Sequence, residues 1–171
     1  LKLHDIPNTV KKAMASLSRL DVDMTNLHAA GTIDMMRAAV EGLTRPDGTR
    51  PMLLAVTQLT STSEERMQRE LLIHASMPDT VKKYAQNAKE AGLDGVVCSP
   101  LEAETVHNAC GRDFVTVTPG VRFAGFKAGA FGQVGYDAVH QPRAFHGGGQ
   151  RGRGDEPVRD EQAGQRGLRN E

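Results

Sequence analysis

The sequence predicts an α/β fold in which helices cover a parallel sheet. Two observations support this class. Between residue 5 and about residue 122, apolar runs of strand length alternate with segments of helical periodicity. Turns rich in glycine and proline separate the two kinds of segment. Repeated strand–helix alternation of this kind requires a parallel sheet, which is either open or closed into a barrel.

The first part of the alternation contains two helices and two strands. Pro7 suits a first helical turn, and apolar residues at positions 10, 14 and 17 recur at near-helical spacing. The segment "VDMTNLHAAG" is a strand candidate that ends in a glycine turn. Ile33, Met36 and Val40 define the next helix. After the turn-rich loop "TRPDGTRP", the apolar run "MLLAVTQLTS" has the length of a buried strand.

The second part continues the same pattern. In "DTVKKYAQNAKEAG", Asp79 is the expected N-cap and Gly92 the expected stop, and the strand "DGVVCS" follows. In "SPLEAETVHNACG", Ser99 can cap the helix, Pro100 takes the first helical position and Glu102 completes a capping box. The short strand "DFVTVTPG" comes last. Each predicted helix after the first therefore lies between two predicted strands, as parallel pairing requires.

Composition limits the classes of partner and compartment. Lys+Arg and Asp+Glu both number 21 in 171 residues, so net charge gives no reason to expect a nucleic-acid partner. No apolar run is long enough to span a bilayer, and the first residues lack the regions of a signal peptide. Cys98 and Cys110 follow neither metal-ligand nor redox spacing and are interpreted as structural thiols. These observations predict a reduced, cytoplasmic protein without a membrane partner.

The last part of the chain has a different composition. Eleven of the 18 glycines lie at position 125 or later, and beyond residue 140 the only aliphatic residues larger than alanine are Val158 and Leu168. Such a segment buries too little apolar area to offset roughly 1–2 kcal/mol of backbone entropy per residue. We therefore expect a domain over residues 1–124 and a disordered Gly/Arg-rich tail over residues 125–171. An RNA-binding tail is the alternative, although acidic residues nearly balance its six arginines.

Lys2 and Asp5, in the opening stretch "LKLHDIPNTV", are the sharpest candidates for catalysis. If Lys2 ends a strand, its ammonium can point into a pocket at the carboxyl end of the sheet, where α/β barrels build active sites. A nearby carboxylate would keep this lysine protonated, and the lysine can then deliver a proton to a developing carbanion. The alternative is a surface ion pair worth roughly 0–1 kcal/mol.

Three other polar residues have structural interpretations beside functional ones. Thr60, in "QLTSTSEE", can contact a ligand or simply cap the following helix. His28 is interpreted as a hydrogen-bonded histidine at a strand end, and His4 as a residue that packs at the rim of a barrel. No set of histidines and carboxylates has convincing metal spacing, so no metal site is predicted.

A family resemblance adds to this interpretation. The stretch "LKLHDIPNTV" resembles the signature of orotidine 5'-phosphate decarboxylase, which reads Asp-x-Lys-x-x-Asp-Ile-Pro-Asn-Thr. The resemblance continues in order through "TNLHAAG", "LLAVTQLTS", "GLDGVVCSPLEA" and "VTPGVR", and covers about residues 1–125. It implies a partial TIM (β/α)8 barrel, about strands 3–7. It also implies a homodimer that converts orotidine 5'-monophosphate to UMP without metal or organic cofactor.

The resemblance further implies roles for individual residues. Lys2 matches the lysine that protonates C6 of the pyrimidine as the carboxylate leaves, and Asp5 matches the aspartate that each subunit lends to its partner's site. Thr9 matches a substrate contact across the same interface, and Thr60 matches a contact to the pyrimidine edge. The other matched substrate-binding positions are Ile6, Pro119 and Arg122, the last two at the start of the loop that closes over base and phosphate.

The match has gaps at both ends. The family's first two strands are expected to precede residue 1, together with the aspartate two positions before Lys2. After "VTPGVRFAG", the tail replaces the family's phosphate-binding segments, and we interpret it as a frameshifted reading of the barrel end. The chain is therefore expected to be a fragment of low activity. Two alternatives stay open: a magnesium-dependent phosphate-sugar lyase or synthase on the same barrel, and a non-catalytic Gly/Arg-rich interaction protein.

Overall fold

A computed structural model describes residues 1–120, and Arg122 and the expected tail at residues 125–171 lie outside the described residues. The described residues form five strands and five α-helices in alternation, except that two helices follow the third strand. The strands are β1 (Lys2–Leu3), β2 (Met24–His28), β3 (Met52–Val56), β4 (Gly95–Val97) and β5 (Val115–Val117). The helices are α1 (Pro7–Leu17), α2 (Thr32–Leu43), α3 (Glu64–Glu70), α4 (Met77–Glu90) and α5 (Ala103–Cys110).

The five strands form one sheet in the order β1-β2-β3-β4-β5, and every neighbouring pair is parallel. Each strand therefore lies beside the next one in the chain, with helical connections between them. This order is typical of a segment of a (β/α)8 barrel. The predicted α/β class with a parallel sheet is confirmed.

The two faces of the sheet have different surroundings. Leu27, Leu53, Ala55 and Val96 belong to the main core, in which they are buried with residues of the helices. Side chains alternate along a strand, so their neighbours in sequence lie on the opposite face, which we call the inner face. The strand register aligns Lys2, Asn26, Leu54, Gly95 and Val115 across that face.

Two glycines allow close packing at positions where a side chain does not fit. A Cβ atom on Gly42 would lie 2.1 Å from the carbonyl oxygen of Lys11, so glycine lets α2 approach the backbone of α1. A Cβ atom on Gly95 would lie 2.2 Å from the carbonyl oxygen of Val115. Both contacts are far inside van der Waals distance, so larger residues would separate the packed elements.

Capping residues determine where the later helices begin. The predicted cap at Asp79 is wrong, because α4 begins at Met77 and Ser76 is its N-cap. The Ser76 hydroxyl accepts a hydrogen bond from the Asp79 amide and donates one to the Asp79 carboxylate, while Asp79 lies in the positively polarised first turn. The predicted capping box of Ser99 and Glu102 is confirmed, and it opens a short 3-10 turn that leads into α5.

Candidate active site

The carboxyl ends of the parallel strands lie along one edge of the sheet, where α/β barrels carry their functional residues. His4 and Asp5 follow β1, and His28 is the last residue of β2. Thr60 lies in the turn after β3, and Pro119 follows β5. The structure thus brings the described candidate residues to the same end of the sheet, whereas Arg122 lies beyond the described residues.

Lys2 occupies β1, in register with Asn26 of β2. Its side chain is exposed. Within residues 1–120, no hydrogen bond or ion pair uses its ammonium group, and none joins it to Asp5. Within one chain, therefore, Asp5 forms neither the surface ion pair nor the charge pair that was expected to keep Lys2 protonated. An ammonium without such a partner is available to a ligand at the carboxyl end of the sheet.

Asp5 is held just before the first helix. Its Oδ1 accepts a hydrogen bond of 2.7 Å from the backbone N–H of Ile6, which is the N-cap residue of α1. Pro7 begins the helix, as predicted, because its fixed φ suits the first turn and it has no N–H to satisfy. Asp5, Ile6 and Thr9 are all exposed, so these three predicted site residues face away from the core of their own chain.

His28 has an unusual electrostatic environment beside Lys2. Burial lowers the pKa of the His28 imidazole from its ordinary value of 6.5, and the positive charges of His4 and Lys2 lower it further. The rings of His28 and His4 lie 5.8 Å apart between centroids. The expected hydrogen bond to the His28 side chain is absent from the described part of the chain, where its ring contact is with His4. A neutral imidazole therefore lies next to a free ammonium.

Thr60 does not cap the helix that follows it. Ser63 is the N-cap of α3, and its hydroxyl accepts a hydrogen bond of 3.3 Å from the backbone N–H of Arg66. The structural interpretation of Thr60 is therefore wrong. Its side chain is exposed in the turn after β3, where the hydroxyl is free to contact a ligand.

Asn26 is a polar residue of the inner face that the sequence interpretation missed. Its Oδ1 is buried and has no hydrogen-bond partner among residues 1–120. The only sequence signal is an amide side chain inside a predicted strand, and that signal does not reveal which strand lies beside it. The register with Lys2 is what connects Asn26 to the site.

The two cysteines lie apart from this chemistry. Burial, followed by the nearby negative charge of Glu102, raises the pKa of the Cys98 thiol to about 12. Burial also raises the pKa of Cys110. Both are free and buried, which supports their interpretation as structural thiols, because the reactive form of cysteine is the thiolate.

Residues 1–120 contain neither a candidate metal centre nor a candidate membrane span. No three histidine, cysteine or carboxylate side chains of this range come together as metal ligands. None of the described helices combines the length and the apolar character needed to cross a membrane.

Comparison with known proteins identifies the family. The model of the orotidine 5'-phosphate decarboxylase / HUMPS family matches residues 1–144. The chain belongs to this family. The match includes the strand with Lys2 and all the other site residues named above.

Curated relatives of this decarboxylase family are similar over the same part of the chain. The orotidine 5'-phosphate decarboxylases of Bacillus mycoides (strain KBAB4) and Bacillus cereus (strain B4264) are each 58% identical over 127 residues. The alignment covers 72% of this chain and 53% of each relative. The chain thus spans about half the length of the curated relatives it matches.

Two solved structures with similar folds support the barrel interpretation. An orotidine 5'-phosphate decarboxylase from Lactobacillus acidophilus is 43% identical, with a TM-score of 0.67 over 71% of this chain and 56% of its own. An uncharacterized conserved protein from Geobacillus kaustophilus is 54% identical, with the same TM-score over 69% of this chain and 56% of its own. The sheet and helices therefore correspond to part of a TIM barrel.

Proposed function

We propose that the chain carries the proton-donating part of an orotidine 5'-monophosphate decarboxylase, which forms UMP in pyrimidine biosynthesis. The observation that carries this proposal is the position of Lys2. It lies in β1 on the inner face, in register with Asn26 at the middle of β2, and within the described residues no hydrogen bond or ion pair occupies its ammonium. The 58% identity to curated orotidine 5'-phosphate decarboxylases supports the same role.

The chemistry requires a cation where negative charge develops. The bond between C6 of the pyrimidine and its carboxylate breaks, CO2 leaves, and the electron pair stays on C6. The Lys2 ammonium donates a proton to C6 and becomes an amine, which takes up a proton from solvent before the next turnover. An ammonium close to the carbanion stabilises the transition state more than the ground state, and this difference accelerates the reaction.

The other site residues bind and orient the substrate in this proposal. The Thr60 hydroxyl contacts the pyrimidine edge, and Pro119 and Arg122 begin the loop that closes over base and phosphate. Asp5, Ile6 and Thr9 serve the site of a second copy in a homodimer. Their exposure supports this last assignment, because residues that act in a partner's site must project from their own chain.

We further propose which residues form the catalytic domain and in which compartment the protein acts. Residues 1–124 form the catalytic part, residues 125–171 take no part in the chemistry, and the protein acts in the cytoplasm. Neither a metal nor an organic cofactor takes part in the proposed reaction, so a chelator leaves the activity unchanged. Loss of activity in chelator would instead favour the magnesium-dependent alternative.

The test is the loss of absorbance of orotidine 5'-monophosphate on incubation with the purified chain. We expect Lys2→Ala to reduce the rate by about 100- to 10,000-fold, the range for loss of a positioned general acid. Lys12→Ala is the matched control, because Lys12 is an exposed lysine of α1 outside the site. The proposal is overturned if the folded chain has no activity, or if Lys2→Ala is as active as Lys12→Ala.

A further inference from the structure

The buried amide oxygen of Asn26 is the least explained polar atom on the inner face of the sheet. Only two buried side-chain oxygens in the described residues have no hydrogen-bond partner, Asn26 Oδ1 and Asn87 Oδ1. A buried acceptor left without a donor destabilises the fold, so native structures rarely retain one without a reason. Asn26 Oδ1 therefore requires a hydrogen-bond donor that the described contacts do not provide.

The neighbouring strand provides a donor. Lys2 and Asn26 are Cα partners in the parallel register of β1 and β2. Paired residues of adjacent strands have side chains on the same face, and the strands are about 4.8 Å apart. The reach of a lysine side chain exceeds this separation, so the ammonium can approach the amide oxygen by rotation about its own side-chain bonds.

The hydrogen-bonding capacities of the two groups are complementary. A lysine ammonium has three donors and no acceptor, and the amide oxygen of asparagine is an acceptor. The Lys2 ammonium makes no hydrogen bond or ion pair within residues 1–120, and Asn26 Oδ1 has no donor there. A free charged donor and a buried free acceptor thus lie on adjacent strands of one face.

We infer that Asn26 is a positioning residue that accepts a hydrogen bond from the Lys2 ammonium and directs its remaining donors towards the bound pyrimidine. The inference rests on the proposed function for its catalytic consequence, whereas the contact between the two side chains does not depend on it. His28 lies two residues further along β2 on the same face, and its lowered pKa keeps it neutral beside the positioned charge.

Two substitutions at position 26 test the contact. Asn26→Leu has a similar shape but no acceptor, and Asn26→Asp keeps the acceptor and adds a negative charge. The first readout is the rate at which a small excess of acetic anhydride acetylates Lys2, relative to Lys12, with tandem mass spectrometry separating Lys2 from the Leu1 α-amine. The second readout is kcat and KM for orotidine 5'-monophosphate.

A hydrogen bond between Lys2 and Asn26 predicts that the two substitutions change the acetylation rate of Lys2 in opposite directions. Asn26→Leu raises the acetylation rate of Lys2 roughly tenfold, because loss of a hydrogen bond to a charged group frees the amine for reaction. Asn26→Asp lowers that rate, since a carboxylate holds the ammonium more strongly. Asn26→Leu also lowers kcat roughly tenfold or more with a smaller change in KM, and Asn26→Asp retains more activity than Asn26→Leu.

Asn87, the other described residue with a buried and unpaired amide oxygen, provides the matched control. Asn87 lies on α4, and it lines a cavity of about 380 Å³ beside α2 with residues that include Tyr84 and Arg37. Asn87→Leu removes a buried unpaired amide without approaching the candidate site, and it leaves Lys2 acetylation and kcat unchanged. A purely structural role for Asn26 predicts that Asn26→Leu and Asn87→Leu behave alike in both assays.

The acetylation and activity measurements distinguish failure of the Lys2–Asn26 contact from failure of the proposed function. Equal Lys2 acetylation rates in the wild type and Asn26→Asp, with circular dichroism showing both folded, overturn the positioning role even if the chain is active. Absence of decarboxylation in the wild type overturns the proposed function, while opposite rate changes in the two variants still establish the contact. If Asn26→Leu does not fold, Asn26→Asp alone decides, because its side chain has the same shape.

Discussion

Lys2 and His28 lie on the adjacent strands β1 and β2, where the charge of Lys2 affects the protonation of His28. Burial is the largest cause of the lowered pKa of His28, followed by the charges of His4 and Lys2. A neutral histidine at this position adds no positive charge beside Lys2. This arrangement suits a site in which one ammonium serves as the proton donor.

The titration of His28 tests this electrostatic arrangement. We expect its imidazole to titrate below 6.5 in the folded chain, and we expect the titration midpoint to rise in Lys2→Met, which removes one of the positive charges. Proton NMR of the His28 Cε1–H signal measures both values, and His74, an exposed histidine outside the site, is the internal reference. A midpoint that does not change in Lys2→Met would show that the two groups do not interact.

The same shift predicts how stability depends on pH. Since the pKa of His28 is lower in the folded state, the unfolded state binds more protons as the pH falls below about 6.5. The contribution of His28 to the free energy of unfolding is therefore fully present above pH 6.5 and decreases as the pH falls through its folded pKa. Urea denaturation between pH 5 and pH 7.5 measures the free energy of unfolding of the wild type and of His28→Gln. The difference between these two free energies should become smaller towards pH 5.

At the scale of elements, the Arg50–Asp94 ion pair connects the amino ends of β3 and β4. Arg50 binds Asp94 with both terminal nitrogens and also donates to the carbonyl oxygens of Pro51 and Gly92. Asp94 accepts a further hydrogen bond of 2.7 Å from the backbone N–H of Leu53. A carboxylate that joins two strands and an arginine contributes more than an isolated surface pair, because its bonds are bidentate and partly buried.

We expect Asp94→Ala to lower the free energy of unfolding by about 2 kcal/mol, because Arg50 and the Leu53 amide both lose an acceptor. The control is Arg37→Ala, which removes the exposed Arg37–Glu90 pair and should cost less than about 1 kcal/mol. Urea denaturation followed by circular dichroism measures both changes. Equal effects of the two substitutions would show that the link between β3 and β4 is no stronger than a surface pair.

The N-terminal ends of the helices also show what local sequence can predict. The capping box at Ser99 and Glu102 was predictable because all of its members lie within four residues. The start of α4 was not, because Ser76, Pro78 and Asp79 all suit a helix start and the packed position of the helix selects among them. For the same reason the sequence did not decide whether Thr60 caps α3, whose N-cap in the structure is Ser63.

At the scale of the whole molecule, the proposed site is shared between two copies of the chain. In the proposed arrangement, Lys2 would act in its own site and Asp5 in the site of the partner. A homodimer formed in this way has two equivalent sites, because a two-fold axis exchanges the same surface on both chains. The exposure of Asp5, Ile6 and Thr9 agrees with such an arrangement.

Mixing two inactive variants tests the shared site. Lys2→Ala and Asp5→Ala should each be inactive alone, and their mixture should recover activity because a mixed dimer contains one site with both residues intact. With free exchange of subunits, half of the dimers are mixed, so recovery should reach about a quarter of the wild-type rate. Decarboxylation is measured after co-refolding of equal amounts, and a mixture that stays inactive while sedimentation shows exchanged dimers would exclude sharing.

The sequence by itself determined the α/β class with parallel strands, the family and the Lys2–Asp5 motif. These features depend on hydrophobic periodicity, turns and short motifs, which are properties of neighbouring residues. Only the tertiary structure decided that Asn26 lies beside Lys2, that Arg50 reaches Asp94 and that Asp5 forms no ion pair with Lys2. The physical reason is that strand register and side-chain contacts depend on how segments distant in sequence pack together, and no local pattern encodes that packing.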